Sequence, residues 1–289
     1  MTPTTAPTPI SPPALTTRAT STYAGPHLVA LDIDGTLTED ARLDVPKATI
    51  EAVAAARRAG HHIVLASGRS LAGVLPIARL LDLDGWVVAS NGAVIARVDP
   101  TAQPDGYAIP PGDAQFLDVR AATDPAIMLQ LSIAVENIGA GYFVTNRFPA
   151  HMLRGTQTWA PLSALEALDT PRIVLHGTGA HDLIDQLRAA GLTVTPAGID
   201  RLDVTPGGVS KATALETIRE RLGVDPAGTI AVGDGINDLE ALIWAARGVA
   251  MGHAPLEVRD AADEITGSLD QAGAAMVLRS LPNVLPAAG

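Results

Sequence analysis

Two separated parts of the chain share one pattern, in which short apolar runs alternate with helix-like segments. Residues 27–33 and 61–66 are apolar runs, and residues 46–59 between them carry apolar side chains at helical spacing. A second helix is indicated at 71–81 and a third strand at 86–89. Strands that alternate with helices in this way imply βαβ units. The sequence therefore predicts an α/β fold with a Rossmann-like, doubly wound, mainly parallel sheet.

The middle of the chain is less regular and richer in Gly and Pro. We expect an α+β insertion there, with strands at 127–135, 142–145, 172–176, 192–195 and 201–204 and a helix at 181–190. The first pattern returns with a helix over 209–222, a strand at 229–232, a helix at 236–245 and a strand at 248–251. The predicted organisation is a core of residues 26–91 and 205–289, a cap of residues 92–204 and a disordered Pro-, Thr- and Ala-rich tail over 1–25.

Composition excludes several classes of protein. The 31 acidic and 20 basic side chains give a net charge of −11, which argues against nucleic acid or an anionic membrane as the main partner. The chain has no Cys, so disulfide scaffolds, Cys-based zinc sites and catalytic thiols are excluded. No apolar run is long enough to span a bilayer, and the amino-terminal segment lacks a signal-peptide pattern. We expect a cytoplasmic protein; the oligomeric state stays open.

Four polar stretches stand where chemistry is expected in such a fold. In open α/β sheets, active sites lie beyond the carboxyl ends of the strands. Three of the stretches follow predicted strands and the fourth opens a helix, so we expect all four to surround one crevice. They are Asp32-Ile-Asp34-Gly35-Thr36, Ser67-Gly68-Arg69, Lys211, and Gly233-Asp234-Gly235-Ile-Asn237-Asp238.

The acidic residues in these stretches indicate a metal site. Asp32 and Asp34 are two apart in an extended segment, so their carboxylates lean to the same side and repel each other unless a cation intervenes. Asp234 adds a third carboxylate. Oxygen ligands of this kind suit a hard ion, Mg²⁺ above all.

The remaining residues suit transfer of a phosphoryl group. A carboxylate that attacks a phosphate dianion needs cations to offset charge repulsion, and Lys211 can supply one. The Ser67 hydroxyl and the Gly68 amide can donate to phosphoryl oxygens, and Gly35 permits a tight turn. Asp34 can protonate the leaving oxygen and then accept a proton from water.

These stretches, taken together and in order, resemble the four motifs of the haloacid dehalogenase superfamily of phosphohydrolases. Residues 32–36 followed by Leu37 match the first motif, Ser67 the second, Lys211 the third and residues 233–238 the fourth. Ser67-Gly-Arg69-Ser70, Asn91-Gly-Ala and Gly208-Val-Ser-Lys211 look like the Cof-type capped phosphatases of subfamily IIB. The resemblance covers nearly the whole chain after the tail.

The resemblance implies a fold and a set of roles. It implies an α+β cap that closes over the site, Asp32 as a nucleophile that forms an aspartyl phosphate, and Asp34 as acid and base. Mg²⁺ would be held by Asp32, the Asp34 main-chain carbonyl and Asp234, with Asn237 and Asp238 in support. The resulting expectations are catalytic Asp32, Asp34, Ser67 and Lys211; a metal set of Asp32, Asp34, Asp234 and Asp238; and contacts to a small phosphorylated metabolite from Gly35, Thr36, Gly68, Arg69, Asn91, Lys211 and Asn237.

Some questions stay open at this point. His253 stands where the family usually has Asn, which puts one local contact in doubt. A phosphomutase would use the same aspartyl phosphate, and a non-catalytic binding module would use the same scaffold, although the intact Asp34 argues against the latter. Basic residues of the insertion can contact the rest of a substrate, although each one singly is more often a surface or structural residue: Arg147, His151, Arg154, Arg172, His176 and Arg201.

Overall fold

A computed structural model describes residues 23–40, 42–99, 106–149 and 151–284. The strands are β1 Leu28–Leu31, β2 His62–Ala66, β3 Gly85–Ala89, β4 Val94–Val98, β5 Tyr107–Ala108, β6 Ser132–Asn137, β7 Gly141–Val144, β8 Thr156–Trp159, β9 Ile173–His176, β10 Thr193–Pro196, β11 Arg201–Thr205, β12 Thr229–Gly233, β13 Arg247–Ala250 and β14 Glu264–Ile265. The α-helices are α1 Lys47–Arg58, α2 Leu71–Leu80, α3 Val119–Met128, α4 Leu162–Leu165, α5 Ile184–Ala189, α6 Lys211–Leu222, α7 Leu239–Trp244, α8 Leu256–Ala261 and α9 Gly273–Arg279.

The larger sheet has eight strands in the order β14-β13-β12-β1-β2-β3-β4-β5. The strands from β14 to β3 pair in parallel, and β4 and β5 are antiparallel to their neighbours. Because β12, β1 and β2 are adjacent, the residues that follow them meet at one edge of the sheet. Those residues are Asp234, Asp32 and Ser67.

Helices cover both faces of this sheet. Val29 and Leu31 of β1 belong to an apolar cluster with side chains of α1, α2 and α9. Leu28 and Ala30 belong to a second cluster with side chains of α6, α7 and α8. Residues 28–31 are therefore buried on both sides, which explains their continuous apolar sequence. The predicted doubly wound, Rossmann-like core is confirmed.

The insertion contains a six-stranded sheet with the order β10-β11-β9-β6-β7-β8. Its pairings are antiparallel except for β7 with β8. Side chains of α3 and α5 pack with Ile133, Ile173 and Leu202 of this sheet in a separate apolar cluster. The insertion thus has its own core.

The predicted strand over 127–135 is wrong in its first part. Residues up to Met128 belong to α3, and the strand is β6, Ser132–Asn137. The Asp118 side chain accepts a hydrogen bond from the Arg120 amide and caps the helix. The apolar run spans both elements, so periodicity could not separate them.

The large sheet extends beyond the predicted boundary at residue 91. A buried turn at Ser90–Gly92 reverses the chain, and β4 then pairs with β3, Trp86 opposite Arg97 and Val88 opposite Ile95. Gln115 still donates to the Ala93 carbonyl at 2.9 Å. Residues 94–98, 107–108 and 115 therefore still contact the large sheet.

Residues 1–22 of the predicted disordered tail, which covers residues 1–25, lie outside the part of the chain that the structure describes. Tyr23 is described, and its ring packs edge-on against His27 with ring centroids 5.0 Å apart. In the described parts of the chain, none of the helices has the length and apolar composition needed to cross a membrane.

Candidate active site

A cavity of about 460 Å³ lies between the carboxyl edge of the large sheet and the insertion. Asp32, Ser67 and Asp234 line it from the core, and Arg154 and Asp203 line it from the insertion. Both parts of the chain therefore shape the space that a bound molecule would occupy.

Lys211 joins two carboxylates behind one wall of this cavity. Its Nζ atom lies 2.6 Å from Asp32 Oδ1 and 2.6 Å from Asp238 Oδ1, and its side chain is 1% exposed. Ser210 and Thr213 form a capping box that fixes the first turn of α6, where Lys211 begins the helix. Burial works against the charged ammonium, but the two carboxylates outweigh it and raise the pKa of Lys211.

Burial raises the pKa of Asp32 well above its usual value, and repulsion from Asp238 adds to this effect. Lys211 acts in the opposite direction. Asp32 thus has one oxygen bound to an ammonium group and the other without a hydrogen-bond partner among the described residues.

Asp234 is positioned by the loop that follows β1. The Thr36 hydroxyl donates to Asp234 Oδ1 at 2.9 Å. Gly35 has φ +79°, and a Cβ atom there would lie 2.1 Å from Asp234 Oδ2, so glycine is what allows the carboxylate to occupy this position. Burial, followed by the charge of Asp238, raises the pKa of Asp234 to about 6, against the opposing Thr36 hydrogen bond.

The three carboxylates form a cluster suited to a hard cation. One oxygen each from Asp32, Asp234 and Asp238 lie within 4.8 Å of one another. Asp238 Oδ2 also accepts hydrogen bonds from the amides of Asp234 and Gly235, at 3.1 and 2.8 Å. Because Oδ1 is bound to Lys211, both oxygens of Asp238 already have partners within the protein. The residues fit a divalent ion, with Asp32 and Asp234 offering the freer oxygens.

Asp34 differs from the other predicted metal ligands, because its side chain is bound to Arg69. Arg69 Nε donates to Asp34 Oδ2 at 2.8 Å and Nη2 donates to Oδ1 at 2.7 Å. Any metal contact of Asp34 is thereby left to its main-chain carbonyl. Arg69, predicted as a substrate contact, lines the cavity but uses two of its N–H groups on this carboxylate.

The other predicted binding residues fall into two groups. Ser67, Gly68, Asn91 and Asn237 line the cavity, and Asn237 Nδ2 donates to Asn91 Oδ1 at 3.0 Å. Three residues expected to contact substrate are not among those that line the cavity: Gly35, Thr36 and Lys211. In this structure Gly35 and Thr36 support Asp234, and Lys211 contacts the cavity-lining Asp32, so a direct substrate contact from these three residues stays a prediction.

A buried polar network between the core and the insertion escaped sequence analysis. Arg172 donates to the Gly68 carbonyl and to the Tyr142 hydroxyl. Ser90 Oγ donates to Glu136 Oε2 at 2.6 Å, and Glu136 pairs with Arg172. Burial raises the pKa of both Glu136 and Tyr142, that of Tyr142 to about 12. Glu136 directly follows the apolar residues 133–135 within β6, which was the signal available.

His253 lies beside the carboxylate cluster. Its Nε2 atom is 3.7 Å from Asp234 Oδ2, too long for a hydrogen bond. The substitution of His253 for the usual Asn therefore lies beside Asp234, one of the three clustered carboxylates.

This fold and this site define an enzyme of the haloacid dehalogenase type. A family model described as haloacid dehalogenase-like hydrolase matches residues 29–105 and 177–278. The chain belongs to this family, and its enzyme class is that of the phosphoric monoester hydrolases.

Individual relatives agree in length and fold. The chain is 29% identical to a phosphoglycolate phosphatase of Natronomonas pharaonis, over 82% of this chain and 90% of that protein. The phosphatase BT1666 from Bacteroides thetaiotaomicron superposes with a TM-score of 0.75 at 25% identity, covering 91% of this chain and 97% of that one. The subclass IIB sugar phosphatase BT4131 superposes with a TM-score of 0.74 at 21% identity, covering 88% and 98%. The predicted resemblance to the haloacid dehalogenase superfamily is confirmed.

Proposed function

We propose that the protein is a Mg²⁺-dependent phosphatase that hydrolyses a small phosphorylated metabolite through an aspartyl phosphate on Asp32. One observation carries the proposal: Asp32 lines the cavity while Lys211 holds one of its oxygens at 2.6 Å. This contact orients the carboxylate and opposes the rise in its pKa that burial causes. The second oxygen is left for attack.

The first step is attack by Asp32 on phosphorus. A bond forms between the carboxylate oxygen and phosphorus, and the bond from phosphorus to the ester oxygen breaks. The departing oxygen takes a proton from Asp34. Ser67 and the amide of Gly68, both at the cavity wall, donate to the phosphoryl oxygens and stabilise the charge that builds there.

The second step releases phosphate. Asp34 takes a proton from a water molecule, whose oxygen bonds to phosphorus, and the bond to Asp32 breaks. Asp34 then carries a proton from this water molecule, in place of the one that left with the alcohol in the first step. The buried pair of Arg172 with Glu136 keeps the wall of the insertion in place above Gly68.

Asp32, Asp234 and the Asp34 main-chain carbonyl would hold the Mg²⁺ ion, with Asp238 and Asn237 in support. When bound, Mg²⁺ supplies positive charge that polarises the phosphoryl oxygens and offsets repulsion between the phosphate and the carboxylates. The close approach of three carboxylates supports such an ion.

The substrate class is proposed as small phosphorylated metabolites, sugar phosphates or phosphorylated cofactors. Phosphoglycolate appears in the name of one relative and sugar in the name of another, so the family alone does not select one compound. Residues 116–204 act as the cap that selects among them, in what we propose is a cytoplasmic enzyme.

The direct test is Asp32→Asn, which keeps the shape of the side chain and removes the nucleophile. We expect release of phosphate from an aryl phosphate with Mg²⁺ to fall by more than about 10³-fold. Turnover at the native rate would refute the mechanism. Measuring free phosphate also distinguishes a phosphatase from a phosphomutase, because a phosphomutase would isomerise a sugar phosphate without releasing phosphate.

A further inference from the structure

One arginine of the cavity lacks a counter-ion. Arg69 is paired with Asp34, and Arg172 is paired with Glu136 and Asp203. Arg201 lies 3.9 Å from Asp203. Arg154 lines the same cavity, and no carboxylate of the described residues lies within 4.0 Å of its guanidinium group. The insertion therefore presents to the space above the site a positive charge that no described carboxylate pairs at ion-pair distance, although the charge of Asp34 still acts on it.

The position of Arg154 is fixed by the loop that carries it. This loop connects β7 to β8, and Phe148 and Leu153 anchor it in an apolar cluster, at 2% and 3% exposure. The Gln157 side chain binds both the amide and the carbonyl of Phe148. Arg154 directly follows the second anchor, so its backbone is held in place.

Arg154 also lies close to a second guanidinium group. A Cβ atom at Gly73 of α2 would be 3.1 Å from Arg154 Cγ and 3.2 Å from Arg69 Cβ. The aliphatic parts of both arginine side chains therefore pack against this glycine. Burial, with repulsion from Arg69, lowers the pKa of Arg154. Arg154 Nη2 and Arg69 Nη1 are both buried without a hydrogen-bond partner among the described residues. Two like charges with unused N–H groups are stabilised by an anion between them.

The other end of the cavity does not need this charge. Asp32, Asp234 and Asp238 are balanced there by Lys211 and a divalent ion, if the proposed function is correct. Arg154 is on the insertion, whereas these residues are all on the core. Its charge is thus available for a part of the substrate other than the reacting phosphoryl group.

We propose that the leaving group of the substrate carries a second acidic group, a carboxylate or another phosphoryl group, and that Arg154 binds it with Arg69 alongside. This rests on the proposed function. Arg69 holds Asp34, the proton donor to the ester oxygen, so the second acidic group lies on the leaving-group side of that oxygen.

Matched pairs of esters test the proposal. For a carboxylate, 3-phosphoglycerate is compared with glycerol 3-phosphate; for a phosphoryl group, fructose 1,6-bisphosphate is compared with fructose 6-phosphate. We expect the acidic member of one pair to have a kcat/KM about 10-fold or more above its partner. Arg154→Gln should lower that value by about 10- to 100-fold and change the value for the neutral partner by less than about 3-fold.

Arg147→Gln is the matched control. Arg147 is an exposed arginine of the same loop, and it lines a separate cavity with Leu153 and Trp159. The Arg147→Gln variant should leave the kcat/KM values of the acidic and the neutral ester unchanged. Equal losses on acidic and neutral esters with Arg154→Gln would overturn the proposal, because Arg154 would then bind the reacting phosphoryl group. Absence of any preference in the wild type would also overturn it.

A binding measurement separates this proposal from the proposed function. Phosphonoacetate has a carboxylate and cannot be hydrolysed at its P–C bond by this chemistry, and ethylphosphonate is its neutral counterpart. Calorimetry should show tighter binding of phosphonoacetate, lost in Arg154→Gln, even if no ester is hydrolysed. Equal binding of the two phosphonates refutes an acidic subsite for carboxylates, whereas hydrolysis of no ester at all refutes the proposed function alone.

Discussion

Arg69 binds both carboxylate oxygens of Asp34, through Nε at 2.8 Å and Nη2 at 2.7 Å, although the two residues are 35 positions apart. The pair is 5% exposed at Arg69 and 33% at Asp34, so the cavity reaches the carboxylate while the guanidinium stays buried. Two parallel charge-assisted hydrogen bonds fix the plane of the carboxylate as well as its position. Arg69 is therefore a positioning residue for the proposed acid and base.

Arg69→Gln should slow hydrolysis of alkyl phosphates more than hydrolysis of aryl phosphates. An alkoxide needs a proton from a correctly placed Asp34, whereas a phenolate leaves without one. We expect kcat to fall by about 10²-fold for an alkyl ester and by less than about 10-fold for an aryl ester. Steady-state kinetics on both esters check this, with Arg79→Gln, an exposed arginine of α2, as control. Equal losses on both esters would contradict the assignment.

Lys211→Met should destabilise the metal-free protein because two buried carboxylates lose their shared cation. Removal of one partner from a buried ion pair typically costs about 3–5 kcal/mol. Burial already raises the pKa of Asp32, and loss of Lys211 raises it further, so protonation relieves the variant at low pH. Urea unfolding at about pH 5.5 and about pH 8 should show the larger loss at the higher pH. A loss independent of pH would point to packing alone.

The stability gained from Mg²⁺ should grow as the pH rises. Burial raises the pKa of Asp234 to about 6, above the value of about 3.9 for an unfolded aspartate. Between these values the folded state binds more protons than the unfolded state, so this group favours the metal-free fold as the pH falls. A bound ion requires the ionised carboxylate and competes with that proton.

Thermal unfolding with excess MgCl₂ or with EDTA measures this effect. We expect a small shift of Tm with Mg²⁺ near pH 5 and a larger one near pH 7.5, where binding at 100 times Kd adds about 2.7 kcal/mol. Asp234→Asn should reduce the shift at the higher pH. A shift that is larger at low pH would reject the acidic cluster as the binding site.

Gly35→Ala should impair metal binding through Asp234. The new Cβ atom would lie 2.1 Å from Asp234 Oδ2, so the carboxylate must move. Gly112→Ala is a matched control, because Gly112 has φ +85° and no atom within 4 Å of a Cβ there. Both variants carry the same backbone strain of about 1–2 kcal/mol. We expect at least a 10-fold weaker Mg²⁺ affinity in calorimetry for Gly35→Ala only; equal affinities in the two variants would show that Asp234 is not displaced.

Much of the site could be predicted from sequence because parallel strands bring their carboxyl ends to one edge. Asp32, Ser67 and Asp234 follow three adjacent strands, so the order of strands and helices along the sequence was enough to predict that these residues lie close together. Side-chain partners were not visible in the same way. The preference of Arg69 for Asp34, and of Thr36 for Asp234, depends on loop geometry that no spacing rule encodes.

The insertion was harder to predict for physical reasons. Pro125 and the mostly apolar residues 126–135 favour an extended segment, yet the Asp118 cap and the packing of Ala122 and Ala126 produce a helix up to Met128. The antiparallel β4 was not predicted, and its mostly apolar sequence, residues 94–98, does not show which sheet it joins. Such pairings are decided by tertiary contacts.

The division of the cavity between two separately packed cores has an evolutionary consequence. The reacting carboxylates stand on the large sheet, whereas the opposite wall is built from strands with their own apolar cluster. Mutations in the wall built by the insertion can alter which ester is accepted, at little cost to the stability of the large sheet. The reason is that contacts that share no partners contribute additively to stability. Natural selection could thus retune selectivity in this lineage while the hydrolytic apparatus is inherited intact.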